Sequence, residues 1–237
     1  MTSQPQLDGR VAIVTGGSRG IGLALTGGLV ERGARVVASG RTQRDLDAVS
    51  HQFGDSVVTV RGDVADRALG DTLVRTATER FGGLDVLINN AGFGLFAPVA
   101  EMAVDDWDRL IATNLTGVFL CTRAAIPALR QRGGGWVINI SSLAGRNSFA
   151  GGAAYCATKA GLNAFAESLM LEVRSDDIRV STVMPGSVQT AFSPGGDAPE
   201  HDWKLAPEDV AQVVFDLLGQ SARSLPSRVE LRPSKPK

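Results

Sequence analysis

Short apolar runs rich in β-branched residues recur along the chain, and between them lie stretches with apolar residues at helical spacing. Arg10–Thr15, Arg35–Ser39, Val57–Arg61, Val86–Asn89, Trp136–Ile140, Arg179–Met184 and Arg228–Arg232 read as strands. Leu23–Val30, Arg44–Phe53, a stretch carrying Leu69, Leu73, Val74 and Ala77 on one side, Val104–Gln131, Ala153–Val173 and Pro207–Leu218 read as helices. In the longest of these, Trp107, Leu110, Ile111, Leu115, Val118 and Phe119 are spaced for burial, and Pro127 predicts a kink or the last turns. The strands are almost continuously apolar, as strands buried on both faces are. This alternation predicts an α/β fold, one domain over 1–237. Its core is a doubly wound parallel sheet of about seven strands with right-handed crossovers and helices on both faces. Ligands of such sheets sit beyond the carboxyl ends of the strands.

Composition sets limits on this picture. With 237 residues, 43% hydrophobic and 21% charged, the chain has enough apolar material for a sizeable core. A net charge of -1 gives no general attraction to nucleic acid or an acidic membrane, and neither is expected as a partner. Cys121 and Cys156 make no disulfide framework, so a reducing, cytoplasmic setting is expected. Met1–Arg10 does not resemble a signal peptide, and no apolar run is read as reaching membrane-spanning length. Residues 190–206, rich in Gly and Pro, read as a substrate lid, and 233–237 as a loose tail. His201 and Trp203 fall in the lid; neither His201 nor His51 is given a role.

Chemistry enters at two places. The first strand runs into Thr15-Gly-Gly-Ser-Arg-Gly-Ile-Gly22 and then into a helix. A strand, a glycine-rich turn and a helix N-terminus together present backbone N–H groups to a pyrophosphate. Gly16, Gly20 and Gly22 allow the tight turn and the close approach of chain to ligand. Further on, Tyr155 and Lys159 lie one helical turn apart, so phenol and ammonium share a face. A cation beside a phenol is expected to favour phenolate and lower its pKa from about 10. That would suit Tyr155 to general acid–base work.

These motifs, with Gly62-Asp63-Val64, Asn89-Asn-Ala-Gly92, Asn114, Ser142 and Pro185-Gly186 in their order and spacing, make the chain resemble a short-chain dehydrogenase/reductase over about Leu7 to Leu218. The resemblance implies a Rossmann-type sheet and a catalytic tetrad of Asn114, Ser142, Tyr155 and Lys159. Tyr155 would protonate a carbonyl oxygen as hydride reaches the carbon, and Ser142 would hydrogen-bond the same oxygen. Ser141 stands beside Ser142 as its rival, but the family spacing to the tyrosine selects Ser142. Lys159 would hold the nicotinamide ribose, and Asn114 would organise a water for proton relay. The implied cofactor contacts are Gly16, Ser18, Arg19, Gly20, Ile21, Gly22, Arg41, Asp63, Val64, Asn90, Ala91, Gly92, Tyr155, Lys159, Pro185, Gly186, Val188 and Thr190, with no metal.

NADP(H) is the expected cofactor. Family members that prefer NAD carry an acid at the end of the second strand; here Gly40 stands there, followed by Arg41. Arg41, with Arg19 in the glycine turn, is placed for a 2′-phosphate. By family analogy the substrate would meet Phe93, Leu95, Phe96, Leu143, Ala144, Phe149, Met184 and Phe192, an apolar set suited to a hydrophobic or acyl-chain carbonyl. The resemblance thus implies a carbonyl reductase, of which a 3-oxoacyl thioester reductase is one form. A secondary-alcohol or polyol dehydrogenase and a non-catalytic dinucleotide sensor or scaffold stay open beside it. A homodimer or homotetramer is expected, with Ala160, Ala164 and Phe165 as packing surface and a C-terminus shorter than a typical tetramer's.

Overall fold

Successive side chains of a strand point to opposite faces, and here both faces are covered. In β1 (Val11–Val14), Ala12 and Val14 join one apolar layer while Val11 and Ile13 join the other. In β2 (Arg35–Gly40), Val36 and Ala38 oppose Val37; in β4 (Val86–Asn89), Val86 and Ile88 oppose Leu87. With β3 (Val57–Arg61), β5 (Gly135–Ile140), β6 (Ile178–Pro185) and β7 (Arg228–Leu231) they form one parallel sheet, ordered β3-β2-β1-β4-β5-β6-β7. This computed structural model describes residues 6–190 and 203–235.

Helices α1 (Gly20–Glu31), α2 (Gln43–Phe53) and α7 (Pro207–Leu218) cover the first layer. The second is covered by α3 (Leu69–Phe81), α5 (Gly117–Gln131) and α6 (Ala153–Val173). The predicted doubly wound α/β sheet is therefore the observed one. The helix expected over Val104–Gln131 departs from regularity: α4 (Val104–Ile111) passes through a π-helical turn, Ala112–Thr116, before α5 begins. Pro127 falls near the end of α5, where the reading allowed it. By length and composition Val104–Gln131 does reach what a bilayer crossing needs, with mean hydropathy 1.3, contrary to the expectation. Its Cys121, Ala125, Ala128 and Leu129 are buried on this sheet, and the core helix of an α/β layer has the same composition. Phe165, read as a surface for a second chain, packs against its own core, while Ala160 and Ala164 are exposed.

Opposite the carboxyl ends of the strands, one carboxylate joins three of them. Asp85, 2% exposed just before β4, accepts from Val11 N (2.9 Å), Arg10 Nη1 (2.9 Å) and Arg132 Nε and Nη2 (3.2 and 3.0 Å). Its carbonyl accepts from Trp136 N as β5 begins. Burial opposes ionisation of this carboxyl, but the bonds from Arg132, Val11 and Arg10 outweigh it and hold the pKa below the ordinary value.

Because its folded pKa is lowered, Asp85 adds stability above the unfolded carboxylate pKa of about 3.9 and loses it as pH falls through the folded value. Asp85→Asn is expected to cost about 2–4 kcal/mol in urea unfolding at pH 7. The difference from wild type should shrink steadily once the pH drops below about 4. Equal midpoints at pH 7 would show that the cluster contributes nothing.

Candidate active site

The sheet changes direction between β1 and β4, and beyond the strand ends there lies a cavity of about 400 Å³. Gly16, Ser18, Arg19, Gly20, Ile21 and Gly22 line it beyond β1, Gly40 and Arg41 at β2, and Asp63 and Val64 beyond β3. Asn90, Ala91 and Gly92 follow from β4, and Ser142 from β5. Tyr155 and Lys159 enter from α6, and Pro185, Gly186, Val188 and Thr190 from β6. Every position assigned to the cofactor from sequence thus lies on one surface. Ser39, Thr42, Gly62, Thr113, Ile140 and Ser141 also line it and were not assigned to the cofactor, nor was Phe93, which was given to the substrate. Most sit at strand ends, and strand order was the signal that could have found them.

The glycine turn is shaped by its own backbone. Gly16 has φ 65°, and a Cβ on Gly22 would lie 2.0 Å from Gly16 O, so α1 can start this close only with glycine there. The helix accordingly begins at Gly20, three residues before the predicted Leu23, and directs its first N–H groups at the cavity. Thr15, absent from the assigned set, is the hub. Its Oγ1 accepts from Asn90 N (3.0 Å) and Ala91 N (3.1 Å), and Asn90 Nδ2 donates back to Thr15 O (2.9 Å) and Gly16 O (3.2 Å). Asn89 points elsewhere, into the layer beneath the sheet, donating to Thr122 Oγ1 and Asn139 Oδ1.

At the β2 end, a Cβ on Gly40 would stand 2.8 Å from Ser18 Oγ, so an acid there would displace Ser18. The two arginines nearby are held by acids: Arg41 lies 3.7 Å from Asp63 and Arg19 3.6 Å from Asp45. All four side chains are well solvated, so these pairs are weak. An arriving dianion would displace them readily.

At the β5 end, the Ser142 hydroxyl lies beside the Tyr155 phenol, where it favours phenolate, and Ser142 Oγ accepts from Ala144 N (3.1 Å). Ser141, the rival, turns the other way: its hydroxyl donates to Asn163 Oδ1 (2.6 Å). Lys159 is 4% exposed, with Nζ 5.8 Å from the centre of the Tyr155 ring and donating to Ile140 O (3.1 Å). The expected depression of the Tyr155 pKa is not found. Burial pushes it up to about 12, against the opposing hydrogen bond from Ser142. Burial also pushes Lys159 down to about 8. Desolvation disfavours charge on both groups.

Asn114 is also differently engaged. It sits in the π-helical turn, 1% exposed, and its oxygen accepts from Phe93 N (3.0 Å). Its Nδ2 donates to Phe93 O (2.9 Å) and Thr158 Oγ1 (3.3 Å). Both amide hydrogens are thereby spent on the chain rather than on a water, and the side chain anchors the β4 loop. Its neighbour Thr113 lines the cavity in its place. Of the apolar substrate set, Met184 is fully buried in β6 and faces no opening, and Ala144 is buried against α6. Phe192 and His201 lie outside the described residues. The two ends of the expected lid are tied together, Gln189 N donating to Leu205 O and Leu205 N to Ser187 O. Pro233, read as the start of a loose tail, lies beside Gly186, where a Cβ would be 3.1 Å from its Cδ.

Comparison with known proteins agrees with this geometry. Residues 10–199 match the family model described as short chain dehydrogenase. An uncharacterized oxidoreductase of Staphylococcus aureus (strain MW2) is 35% identical over 228 residues, covering 96% of this chain and 98% of the relative. The NADP-dependent 3-hydroxy acid dehydrogenase YdfG of Salmonella typhi is 33% identical, covering 94% of each. Among solved structures, the closed form of serine dehydrogenase complexed with NADP+ superposes with a TM-score of 0.88 at 31% identity, over 93% of this chain and 94% of that one. Serine dehydrogenase from Escherichia coli gives 0.83 at 32%, over 93% and 96%. The fold, the cavity at its switch point and this agreement over nearly the whole length make the chain a member of the short-chain dehydrogenase family.

Proposed function

We propose that this protein is an NADPH-dependent oxidoreductase interconverting a carbonyl and a secondary alcohol. The observation that carries the reading is the Ser142–Tyr155 hydroxyl pair beside buried Lys159, at one end of a cavity whose other end holds Arg19 and Arg41. β2 and β5 are three strand spacings apart, about 14 Å, so the groove is long enough to separate two ends of a dinucleotide. The residues suit that group: backbone N–H groups at the start of α1 for a pyrophosphate, and no acid at Gly40 to repel a 2′-phosphate. Two relatives named for NADP support the same choice.

When bound, NADPH supplies the hydride. Tyr155 keeps its proton at Oη and passes it to the substrate oxygen, and Ser142 steadies the charge that gathers there. Lys159 would hold the ribose hydroxyls of the bound cofactor and bring positive charge toward the phenol. Asn114 keeps the β4 loop against the cavity through Phe93. The relatives named for hydroxy acid and serine substrates favour a small hydroxy acid or its oxo form. The apolar side chains Phe93, Leu95 and Leu143 suit an acyl or other hydrophobic carbonyl.

Tyr155→Phe should lower kcat about 10²- to 10⁴-fold in NADPH oxidation assays against a carbonyl panel, leaving NADPH affinity nearly unchanged. An equal rate in variant and wild type would end the catalytic reading. Arg41→Ala should weaken NADPH about tenfold or more and NADH little, since one charge-assisted contact is lost. Equal losses for both would refute the phosphate contact. In the free enzyme Lys159 loses its proton as pH rises through about 8 while Tyr155, at about 12, keeps its own. The kcat/KM for NADPH should therefore fall above about pH 8. A profile level to pH 10 would contradict the role given to Lys159.

A further inference from the structure

Outside the cofactor cavity, Tyr155 meets a second surface. Phe96 stands edge-on to its ring, with centroids 5.5 Å apart and planes at 89°. Phe149 continues the row, 5.4 Å from Phe96 at 69°. Both phenylalanines are 46% exposed, beside a tyrosine that is 7% exposed. Half-wet aromatic rings adjoining a reactive hydroxyl have the character of a ligand-binding wall rather than of a core.

The row is held in place from both sides. Phe96 lies on the loop after β4 and Phe149 on the loop after β5, and Ala97 N joins them by donating to Gly151 O (2.9 Å). A Cβ on Gly152 would lie 2.5 Å from the Phe149 ring, so any other residue there would shift the ring. Gly152 N donates to Phe149 O, and Gly152 O accepts from Cys156 N, which ties this loop to the first turn of α6 beside Tyr155. On the other side, the grip of Asn114 on Phe93 fixes the start of the β4 loop. Nearby, Arg109 of α4 pairs with Asp106 at 3.0 Å, and Arg146 on the β5 loop with Glu230 at 2.6 Å; both pairs are at the surface and weak. The row itself presents rings rather than charge, which suits an uncharged flat group.

We propose that Phe96 and Phe149 are specificity-determining residues that receive a planar apolar substituent, an aryl or conjugated group, attached to the substrate carbonyl. The proposal rests on the catalytic reading above and adds the substrate class to it. Ring edges and faces set at these angles hold an aromatic substituent in stacked or edge-on contact, and its carbonyl oxygen then reaches the Tyr155–Ser142 pair. The reaction stays balanced: a hydride forms the new C–H bond, the Tyr155 proton forms the O–H bond, and NADPH ends as NADP+.

The test compares three substrates with NADPH: an aryl methyl ketone, an alkyl methyl ketone of equal carbon number and a 3-oxo carboxylate. Wild type should prefer the aryl ketone, by about tenfold or more in kcat/KM. Phe96→Ala and Phe149→Ala should each cut that value about ten- to a hundredfold, mainly through KM, while the alkyl ketone changes less than about threefold. Phe96→Leu keeps the apolar bulk without the ring and should show the same selective loss, and NADPH binding followed by fluorescence should be unchanged in all three variants. Preference for the oxo acid would overturn the proposal. So would a loss shared by aryl and alkyl ketones, which would assign Phe96 to holding Tyr155. If NADPH binds but wild type reduces no carbonyl, the catalytic reading falls and this proposal with it; reduction without aryl preference sinks the aromatic wall alone.

Discussion

The site depends on a gap between two strands and on what keeps it open. Where the sheet reverses between β1 and β4, the chain leaves both strands in opposite directions, and buried backbone groups need partners. Thr15 and Asn90 supply them reciprocally, with a hydroxyl accepting two N–H groups and a carboxamide donating to two carbonyls. The glycine turn is thus fixed to the β4 loop, and α1 can begin within contact of Gly16. The same β4 loop continues to Phe93, which Asn114 grips, and on to Phe96 against Tyr155. One polar cross-link therefore aligns the phosphate end of the cavity with the chemistry at its far end.

The parts legible in the sequence were those written in local spacing. Apolar runs buried on both faces gave the strands, and a one-turn separation put Tyr155 and Lys159 on one side of α6. Gly40 followed by Arg41 could be read because the absence of a carboxylate is visible in one dimension. What could not be read depends on distant partners. The π-helical turn at Ala112–Thr116 carries no periodic signature; what accompanies it is contact of Asn114 with Phe93 and Thr158, far away in sequence. Ser141 and Ser142 are told apart in the sequence only by the family spacing to Tyr155; what turns the Ser141 hydroxyl away is Asn163, far along the chain. Thr15 and the carbonyl of Ile140 act through ordinary strand-end groups, which no motif marks. Met184 and Phe165 have the same apolar character in a core as on a surface, so neither could be placed before burial was known.

The pKa of Tyr155 shows why spacing alone misleads. Four residues bring the ammonium close, but they say nothing about the medium between the two groups. Here the medium is protein: Lys159 is almost fully buried and bonded to a carbonyl, and Tyr155 is nearly as dry. Dry surroundings penalise phenolate and ammonium alike, which pushes the phenol up and the ammonium down. The cost is the counterpart of a benefit, because a low local dielectric strengthens any charge that later approaches the pair.

That balance also favours one direction of proton flow. A phenol held near 12 is protonated throughout the physiological range, which is the state required to give a proton to a carbonyl oxygen. Running the other way demands phenolate, and the neighbouring Lys159, already shifted toward neutrality, offers limited help in forming it. The Ser142 hydroxyl lowers the cost of that anion. The resting arrangement of these three side chains accordingly holds Tyr155 as the neutral phenol, the state a proton donor needs.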